Sequence, residues 1–271
     1  MALAESGSLR LRILSALVLA PLPLVAIWFG GPFLWVLTGF AAIVMAWEWG
    51  RLCGSGRRRG GAVLIAGVAL AVAMAVAAGA GAGMAVALCA AGAVWAVERL
   101  HGHPAPRWMA AGCLWVALPC IILLWLSQSA IAGRTTLLWI FAVVWATDIG
   151  AYAVGRLIGG PRLAPHWSPR KTWAGLVGGI VCAALAGWAT AFVLGAAPVL
   201  PLVLVSAGLA IVEQFGDLAE SVAKRRFGVK DASGLIPGHG GLLDRLDGLL
   251  AVIPAVALLT WIGGGSVLTW R

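Results

Sequence analysis

Most of the acidic side chains of this sequence lie in one stretch, residues 213–248. The chain has ten acidic residues, and six of them fall in this stretch. They are Glu213, Asp217, Glu220, Asp231, Asp244 and Asp247. Because charge is scarce elsewhere in the chain, we predict that its chemistry takes place in this stretch.

The first part of the stretch has the spacing of a helical stripe. Glu213, Asp217, Glu220, Ser221 and Lys224 follow one another at i, i+4, i+7, i+8 and i+11, which puts them on one face of a helix. A polar helix end that reaches into lipid headgroups would explain Lys224. It explains the acids less well, because an Asp inside a membrane costs about 2.5–3.5 kcal/mol. We therefore predict that the stripe faces a polar cavity.

A glycine-rich segment follows, with more charge on both sides of it. Lys230-Asp231 precede the sequence PGHGG, which contains His239, and Asp244 follows it. Such a segment can be a simple turn, but glycine backbone N–H groups can also cradle a phosphate. Carboxylates from Asp217 and Asp244 together with nearby Lys and Arg side chains suit Mg²⁺-assisted phosphoryl or nucleotidyl transfer.

A second polar cluster lies earlier in the chain. Asp148 has Arg156 two helical turns later, so the pair is either a salt bridge or part of a site. The sequence SPRKTW begins at Ser168 and contains Lys171 and Thr172. It is either a loop in which Ser168 or Thr172 caps the next helix, or a phosphate-binding segment at a helix start.

The composition predicts what carries these residues. The chain is 62% hydrophobic and 11% charged, with a mean hydropathy of +0.98, whereas soluble domains carry about 25% charged residues. Its apolar runs are continuous, which excludes the alternating pattern of a membrane β-barrel. We predict an all-α polytopic membrane protein with about nine transmembrane helices. The net charge of +9 fits cytoplasmic loops, and we expect no nucleic-acid partner.

The predicted spans follow from runs of about 20 apolar residues. They are 11–29, 32–50, 61–79, 83–98, 108–127, 136–157, 173–195, 199–219 and 247–264. Seventeen of the nineteen Lys and Arg residues then lie on one side. The positive-inside rule puts the N-terminus in the cytoplasm and the C-terminus outside. The 220–246 loop would be cytoplasmic.

Five further expectations concern the organisation of the chain. We divide one integral membrane unit into an N-terminal multi-span region, 1–130, and a catalytic multi-span region, 131–271. The Ala/Gly-rich third and fourth spans are expected to pack as a hairpin, and small-residue patches permit a homodimer. Glu48 and Glu98 end the second and fourth spans and are expected at the membrane interface. His101 and His103 are expected in a solvated loop.

The charged residues stand in motifs that resemble the signature of phosphatidate cytidylyltransferases (CDP-diacylglycerol synthases). The matching runs are SVAKR from Ser221, KDxS from Lys230, LIPGHGG from Leu235 and DRLD from Asp244. Upstream segments between residues 148 and 175 are similar to the family as well. The chain departs from the family at Ala174, Ala223 and Gly248, where Glu, a larger apolar residue and Ser are common.

The resemblance implies that CTP and phosphatidate react to give CDP-diacylglycerol and pyrophosphate at a bacterial plasma (inner) membrane. It implies an active site on the cytoplasmic face and an Mg²⁺ ion, with K⁺ as a candidate second ion, at Asp217 and Asp244. The expected catalytic residues are Asp217, Asp244, Lys224 and Asp148. The expected substrate-binding residues are Ser168, Lys171, Thr172, Ser221, Arg225, Lys230, Asp231, His239, Arg245 and Asp247.

Two other functions use the same residues. A CTP-dependent polyprenol or lipid kinase would share the metal and nucleotide site but would deliver phosphate to an alcohol. A transporter would carry its charge on broken helices near the middle of the membrane, whereas here the charge is predicted to lie at one face.

Overall fold

The structure, a computed structural model, describes residues 17–54, 59–129, 132–195, 199–236 and 240–270. Helices dominate it. In chain order they are α1 (Pro21–Phe29), α2 (Gly31–Leu52), α3 (Arg59–Ala78), α4 (Ala80–Leu100), α5 (Pro106–Ser127), α6 (Gly133–Ile158), α7 (Trp173–Leu194), α8 (Val199–Arg226) and α9 (Leu243–Ile262). Two short strands, β1 (Arg162–Ala164) and β2 (Ser168–Thr172), lie between α6 and α7, and a 3₁₀ turn spans Val267–Thr269.

The polytopic helical architecture predicted from hydropathy is confirmed. Eight helices of the described residues, α2 to α9, are long and apolar enough to cross a membrane. They match the second to ninth predicted spans, because in lipid only an internally hydrogen-bonded helix satisfies the backbone of such a run. Part of the first predicted span, residues 11–16, lies outside the described residues, and Leu17–Phe29 forms a shorter apolar helix. The orientation of the termini stays a prediction.

Two helix boundaries differ from the predicted spans and matter for the site. Helix α8 continues to Arg226 rather than ending near residue 219, so the whole charged stripe is helical. Helix α9 begins at Leu243 rather than 247, so Asp244 and Asp247 both belong to its first turns. Hydropathy alone could not predict these helix ends, because a charged helical turn has the same low hydropathy as a polar loop.

A small β-hairpin was not predicted. Strands β1 and β2 pair antiparallel, with Arg162 opposite Thr172 and Ala164 opposite Ser168. These strands are short and mostly polar, so the sequence has no alternating apolar pattern that would predict them. The Thr172 hydroxyl accepts a hydrogen bond from the Gly175 N–H at 3.0 Å, so Thr172 caps α7, as one of the two sequence interpretations expected.

The described residues form two compact units. One contains residues 17–125 and 226–246, and the other contains residues 126–225 and 247–270. In the first, α3 and α4 pack as the predicted hairpin: a Cβ at Gly67 would come 2.6 Å from the Cβ of Ala90. The turn at Gly79 needs φ +89°, which favours glycine. The assignment of catalysis to residues 131–271 stays a prediction.

In the second unit, α6 packs on α7 through glycines. A Cβ at Gly178 would lie 2.4 Å from the Cβ of Val154, and a Cβ at Gly155 would lie 3.3 Å from the Cα of Gly175. Small residues let helix backbones approach in a membrane. These glycine patches therefore pack two helices of one chain, and the homodimer stays a prediction.

Candidate active site

The charged face of α8 is the scaffold of the site in the second unit. The Ser221 hydroxyl donates to Asp217 Oδ1 at 3.4 Å, and Lys224 Nζ donates to Glu220 Oε2 at 2.8 Å. Both pairs are four residues apart. The stripe predicted from helical spacing is therefore confirmed, and its acids and hydroxyl lie side by side.

The β-hairpin brings a second cation to this face. Lys171 Nζ of β2 lies 2.6 Å from Asp217 Oδ2, and the two side chains are 16% and 29% exposed. The Arg225 Nε donates to the Trp167 carbonyl at 3.3 Å, which ties the hairpin turn to the end of α8. The hairpin thus fixes Lys171 beside the acid that the sequence analysis assigned to a metal.

Helix α9 adds a third acid. The Asp247 carboxyl lies within hydrogen-bonding reach of Glu220 and close enough to Asp217 for the two acids to repel each other. The approach depends on glycines: a Cβ at Gly216 would come 2.7 Å from the Cβ of Ala251 and 2.8 Å from the Asp247 carbonyl oxygen. Asp247 was predicted to bind substrate, and the structure brings it next to Asp217.

A further pair of acids lies along α6 and α8. The carboxyl groups of Asp148 and Glu213 lie within hydrogen-bonding reach of each other. The Gln214 amide donates to Glu213 Oε2 at 2.6 Å. Arg156 Nη1 donates to the Tyr152 hydroxyl at 2.8 Å on an exposed part of α6.

The balance of charge in this cluster suits a bound cation. Five carboxyl groups face two ammonium groups, which leaves an excess of formal negative charge. The acids are Asp148, Glu213, Asp217, Glu220 and Asp247, and the ammonium groups are those of Lys171 and Lys224. The described residues contain no ready-made group of three or more metal ligands. Mg²⁺ commonly uses only one or two carboxylates, with phosphates and water completing its shell, so the residues present fit that ion.

The described residues on either side of the glycine-rich sequence, 230–236 and 240–243, belong to the first unit and are called the glycine-rich segment below; two of their N–H groups contact Asp244. One carboxylate oxygen, Oδ2, accepts the backbone N–H groups of Ala232 at 2.9 Å and Gly241 at 2.8 Å. The Ile236 N–H donates to the Gly240 carbonyl at 2.8 Å, and Gly240 has φ +83°, which favours glycine. Asp244 is therefore buried and holds both flanks of the turn together.

The other predicted residues of this segment divide into two groups. Lys230, Asp231 and Arg245 are exposed, as phosphate- or nucleotide-binding side chains must be. His239 lies outside the described residues, and its role stays a prediction. Asp217 and Asp244 belong to different units, and their joint role at a metal stays a prediction.

Sequence reasoning missed Glu48. Glu48 and Glu98 were expected at the membrane interface and were given no role in the site. The structure encloses both side chains in protein, at 0% and 2% exposure, and their depth in the membrane stays a prediction. Glu48 accepts hydrogen bonds from the glycine-rich segment. The sequence held a signal for this role, because an acid inside the apolar run of α2 is as costly as the acids of α8.

The histidines of the loop after α4 differ from each other. His103 was expected to be solvated, but it is buried and hydrogen-bonds the Cys53 carbonyl, whereas His101 is exposed as expected.

Comparison with known proteins bears on what this arrangement does. The model of the cytidylyltransferase family matches residues 10–262. A protein of Brucella suis named phosphatidate cytidylyltransferase is 39% identical over 268 residues, covering 95% of this chain and 94% of its own. A Pseudomonas aeruginosa protein of the same name is 37% identical over 266 residues, covering 94% and 98%. The match extends over nearly the whole chain, including the N-terminal spans, and the chain belongs to the cytidylyltransferase family.

Proposed function

We propose that this protein is a phosphatidate cytidylyltransferase, which transfers CMP from CTP to phosphatidate and releases pyrophosphate. The observation that carries the proposal is the match over nearly the full length to proteins of that name. The acidic residues of the chain support it, because seven of the ten lie in the lysine-bearing carboxylate cluster or in and beside the glycine-rich segment. An apolar helical body suits a substrate that stays in the bilayer.

The chemistry follows from the substrates. An oxygen of the phosphatidate phosphate attacks the α-phosphorus of CTP, and the bond from that phosphorus to the bridging oxygen of the β-phosphate breaks. The electron pair of this bond leaves with pyrophosphate. No general base is required, because a phosphate monoester is already ionised near pH 7, with its second pKa near 6.

The residues of the site have roles that match this reaction. Lys171 and Lys224, already beside carboxylates, are cations that neutralise phosphate charge. Exposed Arg225, Lys230 and Arg245 supply further positive charge for the triphosphate. Asp148 lies on α6 beside the α8 acids and helps to set the negative field that selects a cation.

We further propose that Mg²⁺ binds through Asp217 and Asp244, with K⁺ as a candidate for a second ion. When bound, Mg²⁺ gathers the nucleotide phosphates and stabilises the departing pyrophosphate. The carboxylate excess around Asp217 supports this proposal. We place the protein in the bacterial inner membrane with this site on the cytoplasmic face, because the basic loops follow the positive-inside pattern.

The test uses CTP labelled at two positions. Purified protein in detergent micelles receives phosphatidate, Mg²⁺ and CTP carrying label on either the α- or the γ-phosphate. We expect the α-label in the lipid and the γ-label in pyrophosphate. In a parallel reaction with a polyprenol or diacylglycerol in place of phosphatidate, transfer of the γ-label to the alcohol would instead identify a kinase. No transfer in either reaction would favour the transporter.

Two further measurements complete the test: removal of the metal ion and comparison with an Asp217 variant. Excess EDTA should stop transfer and added Mg²⁺ should restore it, whereas indifference to EDTA would contradict metal-assisted transfer. The Asp217→Asn variant serves as a matched inactive protein, since it keeps the shape of the side chain and removes its charge.

A further inference from the structure

We propose that Glu48 is a positioning residue for the glycine-rich segment and, through it, for Asp244. The inference rests on the proposed function for its activity measurements. Glu48 belongs to α2, far from that segment in sequence, and it was not among the residues predicted for the site. Its carboxyl group is fully enclosed, with 0% exposure.

Three donors of the glycine-rich segment converge on this carboxylate. The Ser233 hydroxyl donates to Oε1 at 2.5 Å, and the Leu242 N–H donates to the same oxygen at 2.9 Å. The Leu243 N–H donates to Oε2 at 2.7 Å. A buried carboxylate that accepts three hydrogen bonds, two from backbone N–H groups, is a charge-assisted anchor.

Two of these donors lie at the start of helix α9: Leu242 directly precedes the helix and Leu243 is its first residue. The first N–H groups of a helix have no partner inside it, and the partial positive charge there favours an anion. Helices usually take this cap from a side chain close in sequence. Here the capping side chain, Glu48, belongs to another helix, α2. Helix α2 therefore fixes where α9 begins and how the side chain of the next residue, Asp244, is oriented.

Glu48 and Asp244 divide the donors of the segment between them. Asp244 accepts the N–H groups of Ala232 and Gly241, while Glu48 accepts from Ser233, which follows Ala232, and from Leu242, which follows Gly241. Neighbouring donors on each flank therefore point to different carboxylates. If Glu48 lost its charge, its donors would compete for the remaining acid, and Asp244 would lose its present orientation.

Gly241 packs directly against the Glu48 carboxyl group. A Cβ at Gly241 would lie 2.5 Å from Oε1 and 2.9 Å from Cδ of Glu48. The Glu48 carboxyl group therefore occupies the space that any side chain at this position would need. This gives a second, independent way to disturb the same contact.

The competing interpretation is that Glu48 only stabilises the fold. Glu98 is the matched control, because it is equally enclosed, 2% exposed, at the end of α4 in the same unit. Its carboxyl group lies against Gly60 and 3.6 Å from His103 Nδ1. A purely stabilising acid at either position should behave alike.

The first experiment compares Glu48→Gln with Glu98→Gln. Glutamine keeps the size of the side chain but turns one acceptor into a donor that faces an N–H group. We expect kcat per folded molecule to fall about 10- to 100-fold for Glu48→Gln, from the loss of charged hydrogen bonds, and less than threefold for Glu98→Gln. Trypsin cleavage after exposed Lys230 should accelerate only in Glu48→Gln.

The second experiment uses the shape match and does not depend on Glu48→Gln folding. Gly241→Ala should lower kcat at least tenfold in the natural background. Glu48→Asp withdraws the carboxylate by about one C–C bond, 1.5 Å, so Gly241→Ala should cost at least threefold less in that background. Equal costs in both backgrounds would overturn the proposal.

The remaining outcomes also distinguish a positioning role of Glu48 from a purely stabilising one. Unchanged kcat and unchanged cleavage after Lys230 in Glu48→Gln, or equal losses in Glu98→Gln, would reduce Glu48 to a stabilising residue. Cleavage after Lys230 needs no substrate, so it tests the positioning role even if the natural chain fails to make CDP-diacylglycerol. That failure would overturn the proposed function alone.

Discussion

Replacing Gly216 by alanine tests how the site is assembled. Gly216 lies on α8 next to Asp217, where α9 crosses. An added methyl group would lie 2.7 Å from the Ala251 Cβ and 2.8 Å from the Asp247 carbonyl oxygen. Neither atom is the end of a flexible side chain, so the helices themselves must separate.

The expected magnitude is the difference between two effects. Overpacking of this kind costs about 1–3 kcal/mol, and alanine in a helix interior returns up to about 1 kcal/mol relative to glycine. We expect a net loss of about 0–2 kcal/mol of stability. The larger effect should be on activity, because a displacement of about 1 Å between catalytic groups can cost about 10²-fold in rate.

Gly208→Ala on the same helix is the matched control. Nothing lies within 4 Å of a Cβ at Gly208, so this variant should be neutral or slightly more stable. The assays are the thermal unfolding midpoint in detergent and the rate of cytidylyl transfer per folded molecule. If Gly216→Ala were as stable and as active as Gly208→Ala, the close crossing of α8 and α9 would not be what brings Asp247 to Asp217.

The remaining predictions concern single groups. Asp244→Asn should lower kcat by about 10²–10³-fold while the protein still inserts into membranes; near-normal turnover would remove Asp244 from the site. Lys171→Gln removes the cation 2.6 Å from Asp217 and should raise the KM for CTP about tenfold or more, and an unchanged KM would argue against phosphate binding. Burial raises the pKa of the Cys53 thiol to about 12, so iodoacetamide at pH 8 should modify it only after unfolding, because the thiolate is the reactive form. A reporter fused after Arg271 should read as external, and a cytoplasmic signal would contradict the nine-span topology.

The sequence predicted well those features that depend on neighbours in the chain. The spans of α2 to α9 follow from runs of apolar residues, and the stripe of Asp217, Ser221 and Lys224 follows from the helical repeat. Both are local patterns, because a helix satisfies its own backbone and fixes which of its residues share a face. The charged turns beyond the apolar runs were less predictable, since polarity alone does not distinguish a helix end from a loop.

Features that depend on partners distant in sequence came only from the tertiary structure. The sequence treated Lys171 and Asp217 as members of two separate clusters, yet the hairpin brings them into an ion pair. The local pattern of apolar and polar residues does not predict this hairpin, because its strands are short and mostly polar. The same limit applies to Asp247, whose place beside Asp217 depends on the glycines at the crossing of α8 and α9.

The composition and periodicity of the chain thus determined that this is a polytopic helical membrane protein, and its motifs indicated the family. Packing decided which acid caps which helix: Glu48 and the Leu243 N–H are 195 residues apart. A hydrogen bond between distant residues depends on how whole helices approach each other, and no repeat along the sequence records that distance.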